Sequence, residues 1–232
     1  MRYPGGKGKC YQHIINVFPP HSIYIETHLG GGAVLRHKKP AATSIGVDRD
    51  AAVIQSWERL FPLLASYVEA DAVDFLTSQH LGGDELVYCD PPYLPSTRRR
   101  ARVYRHDYRE SDHVRLLETL QKLPCRVVVS GYPSDLYDET LCGWHFKTFP
   151  AKAHDGIRQE KIWFNFDPPA WLHDARHLGR DFRERQTIKR RLERLQKRVL
   201  TLSPQEQRFL SEWLDEHLQE GGIDAGLLLL EG

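Results

Sequence analysis

The chain has 232 residues, of which 41% are hydrophobic and 27% charged, a composition typical of a globular protein. A net charge of +1 excludes a chain that is basic or acidic throughout. Four scattered cysteines without a Cys-x-x-Cys pair argue against a disulfide framework and against a zinc site. We therefore expect reduced thiols and no metal ion, and, with no signal peptide and no apolar run long enough for a bilayer, a cytoplasmic location.

The chain opens with a loop in which glycines surround Lys7. Gly5, Gly6 and Gly8 allow the backbone to approach a ligand closely, and the lysine ammonium suits a carboxylate or a phosphate. The Gly-x4-Gly-Lys-Ser/Thr spacing of a Walker A loop is absent. A flexible N-terminus without a role is the alternative. Residues 10–17 then predict a short helix.

A strand, a glycine-rich turn and a helix start follow one another in residues 22–35. This order is typical of a unit that holds a nucleotide, with Gly30 and Gly32 in the turn. The next predicted strand, residues 44–47, ends in Asp48, whose carboxylate is well placed to accept hydrogen bonds from ribose hydroxyls. An ordinary turn residue is the alternative for Asp48.

A third strand ends in a second acidic residue. Residues 51–61 predict a helix with a core-facing apolar stripe. Residues 67–71 then predict a strand that ends in Asp71, and residues 72–81 predict the helix that follows it. Asp71 is a candidate site residue and also a candidate helix N-cap, and the two roles are compatible.

The buried strand at residues 87–89 ends abruptly in Asp90-Pro91-Pro92-Tyr93. Two prolines cannot donate ladder hydrogen bonds, so the strand stops where ligands bind in an open α/β sheet. The pattern suits alkylation of an exocyclic amino group on a base. The Asp90 carboxylate and the Pro91 carbonyl would accept its N–H bonds and free its lone pair, and Tyr93 would stack on the base. A simple strand end with a Pro-Pro turn is the alternative.

Arginines alternate with tyrosines directly after this segment, which predicts a clamp for the nucleic-acid backbone and a stacking platform. A solvated charged loop is the alternative. After a helix (112–123) and a strand (126–132), Tyr132 is a candidate for the target pocket or, equally, a core aromatic. The candidate nucleic-acid-binding residues are Arg98, Arg99, Arg100, Arg102, Tyr104, Arg105 and Tyr132.

The last two strands, 145–149 and 161–166, have no helix between them and predict an antiparallel pair after five βα units. Pro168-Pro169 marks a boundary between a catalytic domain (1–168) and a helical extension (169–232). The extension begins with ten Arg or Lys against three Asp or Glu in residues 176–198 and continues with an acidic helix. Binding of nucleic acid or of a partner, homodimer formation and a solvated helical hairpin all remain open for it.

These motifs, in this order, resemble the Dam-like (alpha-group) N6-adenine DNA methyltransferases from Tyr3 to about Phe166. The resemblance implies a Rossmann-like α/β fold with a mostly parallel seven-stranded sheet, S-adenosylmethionine as cofactor, and duplex DNA with a flipped base as partner. It assigns catalysis to Asp90, Pro91, Pro92 and Tyr93. The cofactor-binding residues that it implies are Tyr3, Gly5, Gly6, Lys7, Glu26, His28, Leu29, Gly30, Gly32, Asp48, Asp71 and Asp90.

The sequence departs from the family pattern in two places. Thr27 and His28 replace the usual proline and phenylalanine of the glycine-rich segment. Asp71 and Asp90 are only 19 positions apart, which leaves no room for the target-recognition domain that many relatives carry there. An RNA adenine methyltransferase and a non-catalytic nucleic-acid-binding module remain the alternatives. A role in restriction-modification, in a phage or in housekeeping is equally open.

Overall fold

The computed structural model describes residues 6–98, 105–153 and 156–218, and the chain divides into two compact units between His177 and Leu178. The first unit is built on one sheet, with helices between its parallel strands. Its strands are β1 (Ile23–Thr27), β2 (Thr43–Asp48), β3 (Ser66–Glu69), β4 (Glu85–Cys89), β5 (Arg126–Gly131), β6 (His145–Ala153) and β7 (Gly156–Phe164). Its helices are α1 (Tyr11–Ile15), α2 (Ala33–His37), α3 (Ala51–Leu60), α4 (Ala72–Ser78), α5 (Glu110–Lys122) and α6 (Asp135–Thr140).

The sheet has the strand order β3-β2-β1-β4-β5-β7-β6. The first five strands in this order are parallel, whereas β7 runs antiparallel to both β5 and β6. The predicted fold, a mostly parallel seven-stranded Rossmann-like sheet with an antiparallel pair at its end, is therefore confirmed. The strand order reverses between β1 and β4, and a crevice at such a switch point is where open α/β sheets bind ligands.

Alternation along β4 explains why the sheet is covered on both faces. Leu86 and Tyr88 belong to the core cluster formed with α1, α2 and α3, whereas Val87 and Cys89 belong to the cluster formed with α4, α5 and α6. Successive side chains of a strand point to opposite faces, and parallel strands with helices on both faces are apolar throughout. All five β4 residues are buried, so the strand holds its carboxyl end, and the Asp90 that follows it, in a fixed place.

The antiparallel pair is longer than the sequence predicts. The β6–β7 register runs from His145 opposite Phe164 to Ala153 opposite Gly156, where the strands were expected over 145–149 and 161–166 only. The residues between those stretches do not alternate between apolar and polar, so the sequence pattern does not predict that the two strands continue through them. Ladder pairing nevertheless extends the two strands as far as Ala153 and Gly156.

Residues after Pro168-Pro169 remain attached to the first unit. The Asp174 side chain is 2% exposed and accepts a hydrogen bond from the Lys39 backbone N–H at 2.8 Å. The His173 N–H donates to the Phe18 carbonyl at 2.8 Å. The compact units consequently divide after His177, later than the boundary at 168 expected from the two prolines. The assignment of functions to the two parts stays a prediction.

The second unit consists of α7 (Phe182–Leu200) and α8 (Pro204–His217). The Asp181 side chain caps α7, and Ser203 with Glu206 forms the capping box predicted for α8. Neither helix contains a buried residue, and large apolar side chains such as Phe209 (72% exposed) face solvent. Whether this unit forms a dimer stays a prediction. No helix in the described ranges combines the length and the apolar character needed to cross a membrane.

Candidate active site

A pocket that is open to solvent lies where the carboxyl ends of β1, β2 and β4 meet. Four of the stretches that line it carry predicted site residues: the N-terminal loop, the glycine-rich turn, the end of β2 and the segment after β4. Their contributions are Gly6, Lys7, Glu26, His28, Leu29, Gly30, Gly31, Gly32, Asp48, Asp90, Pro91 and Pro92. The structure thus assembles most of the predicted cofactor and catalytic residues around one cavity.

The glycine-rich turn bends through three residues with positive φ: His28 (60°), Gly30 (42°) and Gly32 (50°). This left-handed conformation costs a glycine little, whereas it is rare for other residues. The Gly30 N–H donates to Asp48 Oδ2 at 2.8 Å, and the Trp57 indole N–H donates to the Gly30 carbonyl at 2.9 Å. The end of β2 and helix α3 therefore hold the turn open as a rigid wall of the pocket.

Asp48 is a buried carboxylate in the pocket wall, with 7% exposure. Its Oδ1 accepts from the Asp50 N–H at 2.9 Å, opposite the bond from Gly30. Burial raises the pKa of Asp48, and these two backbone hydrogen bonds act against that rise. A carboxylate offers about four lone-pair positions, so Asp48 can still accept hydrogen bonds from a ligand hydroxyl.

Glu26, at the end of β1, is a second buried acid in the same wall. Its Oε2 accepts from the Tyr24 hydroxyl at 2.7 Å and from the Leu35 N–H at 2.8 Å. Burial raises the pKa of Glu26 to about 8, so the carboxyl is largely neutral at pH 7. Glu26 contributes a polar surface to the pocket without adding a full negative charge.

His28 occupies the place where the family pattern has phenylalanine, and its ring bonds neighbours on both sides. Its Nε2 is 2.8 Å from the Tyr108 hydroxyl, and its Nδ1 is 3.0 Å from Thr27 Oγ1. Burial lowers the pKa of His28 to about 3, so the imidazole is neutral. The two unusual residues, Thr27 and His28, thus form one hydrogen-bonded unit that ties the glycine-rich turn to the segment before α5.

Asp90 is fixed through one of its two carboxylate oxygens. Its Oδ1 forms an ion pair with Lys7 Nζ at 2.7 Å and accepts from the Ser130 hydroxyl at 2.8 Å. Ser130 donates its single hydroxyl proton to Asp90. The Tyr88 hydroxyl, 2.9 Å away, therefore donates to Ser130 Oγ. Within the described residues Oδ2 has no donor, which leaves it available as an acceptor at the pocket.

Tyr93 is anchored at its hydroxyl and covered on its ring. Lys7 Nζ donates to the Tyr93 oxygen at 3.1 Å, and the Tyr93 hydroxyl in turn donates to Glu160 Oε1. The Tyr132 ring stacks on it with centroids 3.9 Å apart and planes 9° from parallel. The Arg158 guanidinium lies 5.1 Å from the Tyr132 ring centroid. Tyr132, a candidate for the target pocket or for the core in the sequence, thus lies directly against Tyr93.

Asp71 and two arginines have local partners. Asp71 caps α4 through the Val73 N–H at 3.0 Å, and it does not line the pocket, although its neighbours Ala70 and Ala72 do. The Arg98 side chain is 4% exposed and paired with Asp107 at 2.6 Å, so it does not face solvent as a clamp would. The Arg105 side chain is 67% exposed and pairs with Asp50 at 3.1 Å.

Six of the predicted site residues lie outside the described residues. They are Tyr3, Gly5, Arg99, Arg100, Arg102 and Tyr104. Their assignments remain predictions. In the described ranges no group of three His, Cys, Asp or Glu is arranged to hold a metal ion.

Sequence reasoning missed three residues of this site: Ser130, Tyr108 and Glu160. Ser130 lies near the end of the predicted strand 126–132, and the observed strand pairs with the one that Asp90 follows, so its position was an available signal. Glu160 precedes the last apolar strand stretch and looks like a polar loop residue, because the β7 extension was not predicted. The pairing of β7 with β5 and with β6 brings Glu160 to the hydroxyl of Tyr93.

Residues 64–149 match the model of a family described as D12 class N6 adenine-specific DNA methyltransferase. No curated protein matches. This match covers the segment from β3 to β6, which contains Asp71, Asp90 and Tyr93.

Solved structures that align with the chain are distant. Magnesium protoporphyrin IX methyltransferase (ChlM) from Synechocystis PCC 6803 with bound SAM is 11% identical, with coverages of 68% of this chain and 79% of its own and a TM-score of 0.46. TrmK from M. capricolum in complex with S-adenosyl-homocysteine is 8% identical, with coverages of 87% and 90% and a TM-score of 0.46. A dimethyladenosine transferase from Plasmodium falciparum is 13% identical, with coverages of 71% and 63% and a TM-score of 0.41.

The matching family model and the strand order together support a methyltransferase that uses S-adenosylmethionine, as predicted from the sequence. The lining of the pocket fits this cofactor. The glycine-rich turn with Asp48 offers the backbone approach and the acceptor that a nucleoside requires.

Proposed function

We propose that the protein is a site-specific DNA adenine methyltransferase that transfers a methyl group from S-adenosylmethionine to adenine N6. One observation carries the proposal. Asp90, followed by two prolines and a tyrosine, has one oxygen fixed by Lys7 and Ser130, and its other oxygen has no donor among the described residues, at a pocket that the glycine-rich turn also lines. Such an acceptor, preorganised beside a nucleoside site, suits an amino group that must lose its delocalised lone pair.

The cofactor would be held by the glycine-rich turn and by the acids around the pocket. S-adenosylmethionine supplies an activated methyl group on its sulfonium when bound. Asp48 would accept from its ribose, and Asp71 would act near its adenine from the α4 N-terminus. The other residues proposed to line the cofactor site are Tyr3, Gly5, Gly6, Lys7, Glu26, His28, Leu29, Gly30, Gly32 and Asp90.

The acceptor amino group would be held by Asp90 and by the carbonyl of Pro91. Two acceptors aimed at the N6 hydrogens favour the tetrahedral form of the nitrogen and expose its lone pair. Lys7 and Ser130 restrict the rotation of the Asp90 carboxylate, so its geometry is set before the base arrives. Alignment and electrostatics of this kind are the main contributions that a protein makes when a cofactor carries the reactive group.

Nucleic acid would approach from the side of Tyr93 and Tyr132. A target adenine in duplex DNA must be flipped out, at a cost of a few kcal/mol, and stacking on Tyr93 would offset part of that cost. The exposed Arg105 and the proposed residues Arg99, Arg100, Arg102 and Tyr104 would contact the backbone. Arg98, whose side chain is buried and paired with Asp107, is not part of this proposed contact.

An RNA substrate is the second candidate, and one observation favours it. The chain passes from β3 through α4 directly to β4, so this connection contains no inserted recognition domain. Recognition of a structured RNA by shape would need fewer base contacts than a specific DNA site.

Transfer of labelled methyl from S-adenosylmethionine to unmethylated duplex DNA and to structured RNA, with nucleoside analysis, tests both candidates. We expect N6-methyladenine in DNA. Label in RNA alone would replace the first candidate by the second. Failure to bind S-adenosylmethionine would reject both and favour a non-catalytic nucleic-acid-binding module.

A further inference from the structure

Glu160 is a carboxylate buried beneath the candidate catalytic segment. It lies on β7 opposite Phe149 of β6 and is 2% exposed. The residues that follow it on β7 include Ile162, Trp163 and Phe164, all of them buried. A carboxylate in such a place costs free energy unless charged or hydrogen-bonding partners compensate, so its presence calls for an explanation beyond packing.

Both partners of Glu160 belong to the site. Its Oε1 accepts from the Tyr93 hydroxyl, and its Oε2 lies 3.9 Å from Lys7 Nζ. Oε2 is buried without a hydrogen-bond partner in the described part of the chain. Lys7 therefore stands between two carboxylates, at 2.7 Å from Asp90 and at 3.9 Å from Glu160.

We propose that Glu160 is a positioning residue for methyl transfer: it fixes the Tyr93 ring through its hydroxyl and shares the Lys7 ammonium with Asp90. This inference rests on the proposed function and deepens it. Glu160 itself does not touch the acceptor base. Glu160 affects the base indirectly, because it orients the Tyr93 ring and because it competes with Asp90 for the interaction with the Lys7 ammonium.

The carboxylate has to be ionised to act in this way. Burial raises the pKa of Glu160, and the neighbouring Asp90 raises it as well. Lys7 and the hydrogen bond from the Tyr93 hydroxyl act in the opposite direction and lower it. As the pH falls through this pKa, Glu160 becomes neutral and Lys7 is drawn fully to Asp90. The titratable groups that interact with Glu160 are Lys7, Cys10, Asp90, Tyr93 and Tyr132.

Two substitutions in the full-length protein separate the charge from the hydrogen bond. Glu160→Gln keeps an acceptor for Tyr93 and removes the charge, whereas Glu160→Leu removes both. We expect the affinity for S-adenosylmethionine to stay within about threefold of wild type in Glu160→Gln, with kcat lowered about tenfold or more, and a larger loss in Glu160→Leu. The acid limb of the wild-type kcat profile should be absent from Glu160→Gln, because its side chain does not titrate.

Glu85→Gln provides the matched control. Glu85 is also a buried glutamate on a strand, with 6% exposure, but it accepts from the Gly82 and Gly83 N–H groups and does not line the pocket. We expect Glu85→Gln to change the thermal unfolding midpoint and leave kcat and its pH profile as in wild type. Equal kcat and equal profiles in wild type and Glu160→Gln would overturn the inference while leaving the proposed function intact.

A second measurement does not depend on activity. In protein with isotope-labelled tyrosines, assigned with the help of Tyr93→Phe, the hydroxyl proton of Tyr93 should be protected from exchange in wild type. It should exchange at least tenfold faster in Glu160→Leu. An unchanged exchange rate would overturn the inference even if the wild type transferred no methyl to DNA or RNA, an outcome that would reject the proposed function separately.

Discussion

Lys7 Nζ lies 2.7 Å from Asp90 Oδ1, and the lysine side chain is only 3% exposed. This ion pair joins the loop before α1 to the end of β4, two segments that are far apart in the sequence. Burial lowers the pKa of Lys7, but Asp90 and Glu160 outweigh it, and the pKa stays well above its ordinary value. Lys7 is therefore a permanent cation, and its partner is Asp90, the carboxylate for which we propose the catalytic role.

Replacement of this cation by an apolar side chain should damage both stability and activity. We expect Lys7→Met to lower the free energy of unfolding by about 3–5 kcal/mol, because it leaves the buried Glu160 carboxylate and the partly buried Asp90 carboxylate without a counter-charge. The pKa of Glu160 should rise further, since the Lys7 charge lowers it in wild type. Chemical denaturation at pH 7 and methyl-transfer assays measure the two effects.

Lys161→Met is the control for that experiment. Lys161 is 8% exposed and forms an ion pair with Asp138 on α6, away from the pocket lining. We expect the Lys161→Met variant to have a lower free energy of unfolding than wild type. At temperatures where the variant is folded, its kcat should equal that of wild type. Equal kcat losses in the two variants would contradict a specific role for Lys7.

Asp90→Ala should separate cofactor binding from transfer. The substitution removes the acceptor for the amino group, and we expect kcat to fall by about 10²–10³ or more, by analogy with the loss of one preorganised electrostatic contact. Affinity for S-adenosylmethionine should change much less, because the glycine-rich turn and Asp48 remain. Calorimetric titration with the cofactor and the labelled-methyl assay measure both. An active Asp90→Ala variant would reject the proposed mechanism.

The sequence predicted the sheet and most of the pocket because both depend on local signals. The apolar runs of β1, β4 and β5, the glycines of the turn and the Pro91-Pro92 break each act within a few residues. The contacts of Lys7 with Asp90, and of Tyr93 with Glu160, depend instead on strand pairing and on the path of the N-terminal loop. Single-sequence periodicity carries no information about these distances.

The stacked pair of Tyr93 and Tyr132 should matter for the acceptor and little for the cofactor. Base–aromatic stacking contributes about 1–3 kcal/mol per base, so Tyr132→Ala should raise the KM for nucleic acid by roughly fivefold or more. Tyr132→Phe keeps the ring and should behave as wild type. Equal KM values for the Ala and Phe variants would show that the ring itself is not used.

Stability should fall in acid because several histidines are buried in the neutral form. Burial lowers the pKa of His21 and His28 to about 3 and that of His113 to about 4. Below about pH 6.5 each of these histidines is protonated in the unfolded chain but stays neutral in the folded chain until the pH reaches its lowered pKa. As the pH falls to 5, each histidine therefore lowers the free energy of unfolding by up to about 2 kcal/mol. Urea denaturation at pH 7 and pH 5 should show this loss.

His28→Phe, which restores the residue usual in the family pattern, tests the contribution of one of these histidines. At pH 7 it should be less stable than wild type by about 1–2 kcal/mol, because the bonds to Tyr108 and Thr27 are lost. At pH 5 the difference should shrink or reverse, since phenylalanine binds no proton. A constant difference at both pH values would contradict the assignment of a depressed pKa to His28.

Gly32→Ala tests whether the glycine-rich turn has to pack against Trp57. A Cβ at Gly32 would lie 2.2 Å from Trp57 Cζ2, at a φ of +50° that other residues rarely adopt. Overpacking of this kind costs about 1–3 kcal/mol, or roughly 2–12 °C in the unfolding midpoint of a chain this size. Cofactor affinity should fall as well, because relief of the clash moves the turn that lines the pocket.

Gly82→Ala is the matched control, since a Cβ there meets nothing within 4 Å. We expect it to keep the wild-type midpoint and cofactor affinity, or to gain slightly through the reduced entropy of the unfolded chain. Thermal unfolding with and without S-adenosylmethionine measures both quantities in one series. If Gly32→Ala matched Gly82→Ala in both, the contact between the turn and Trp57 would not be what holds the pocket open.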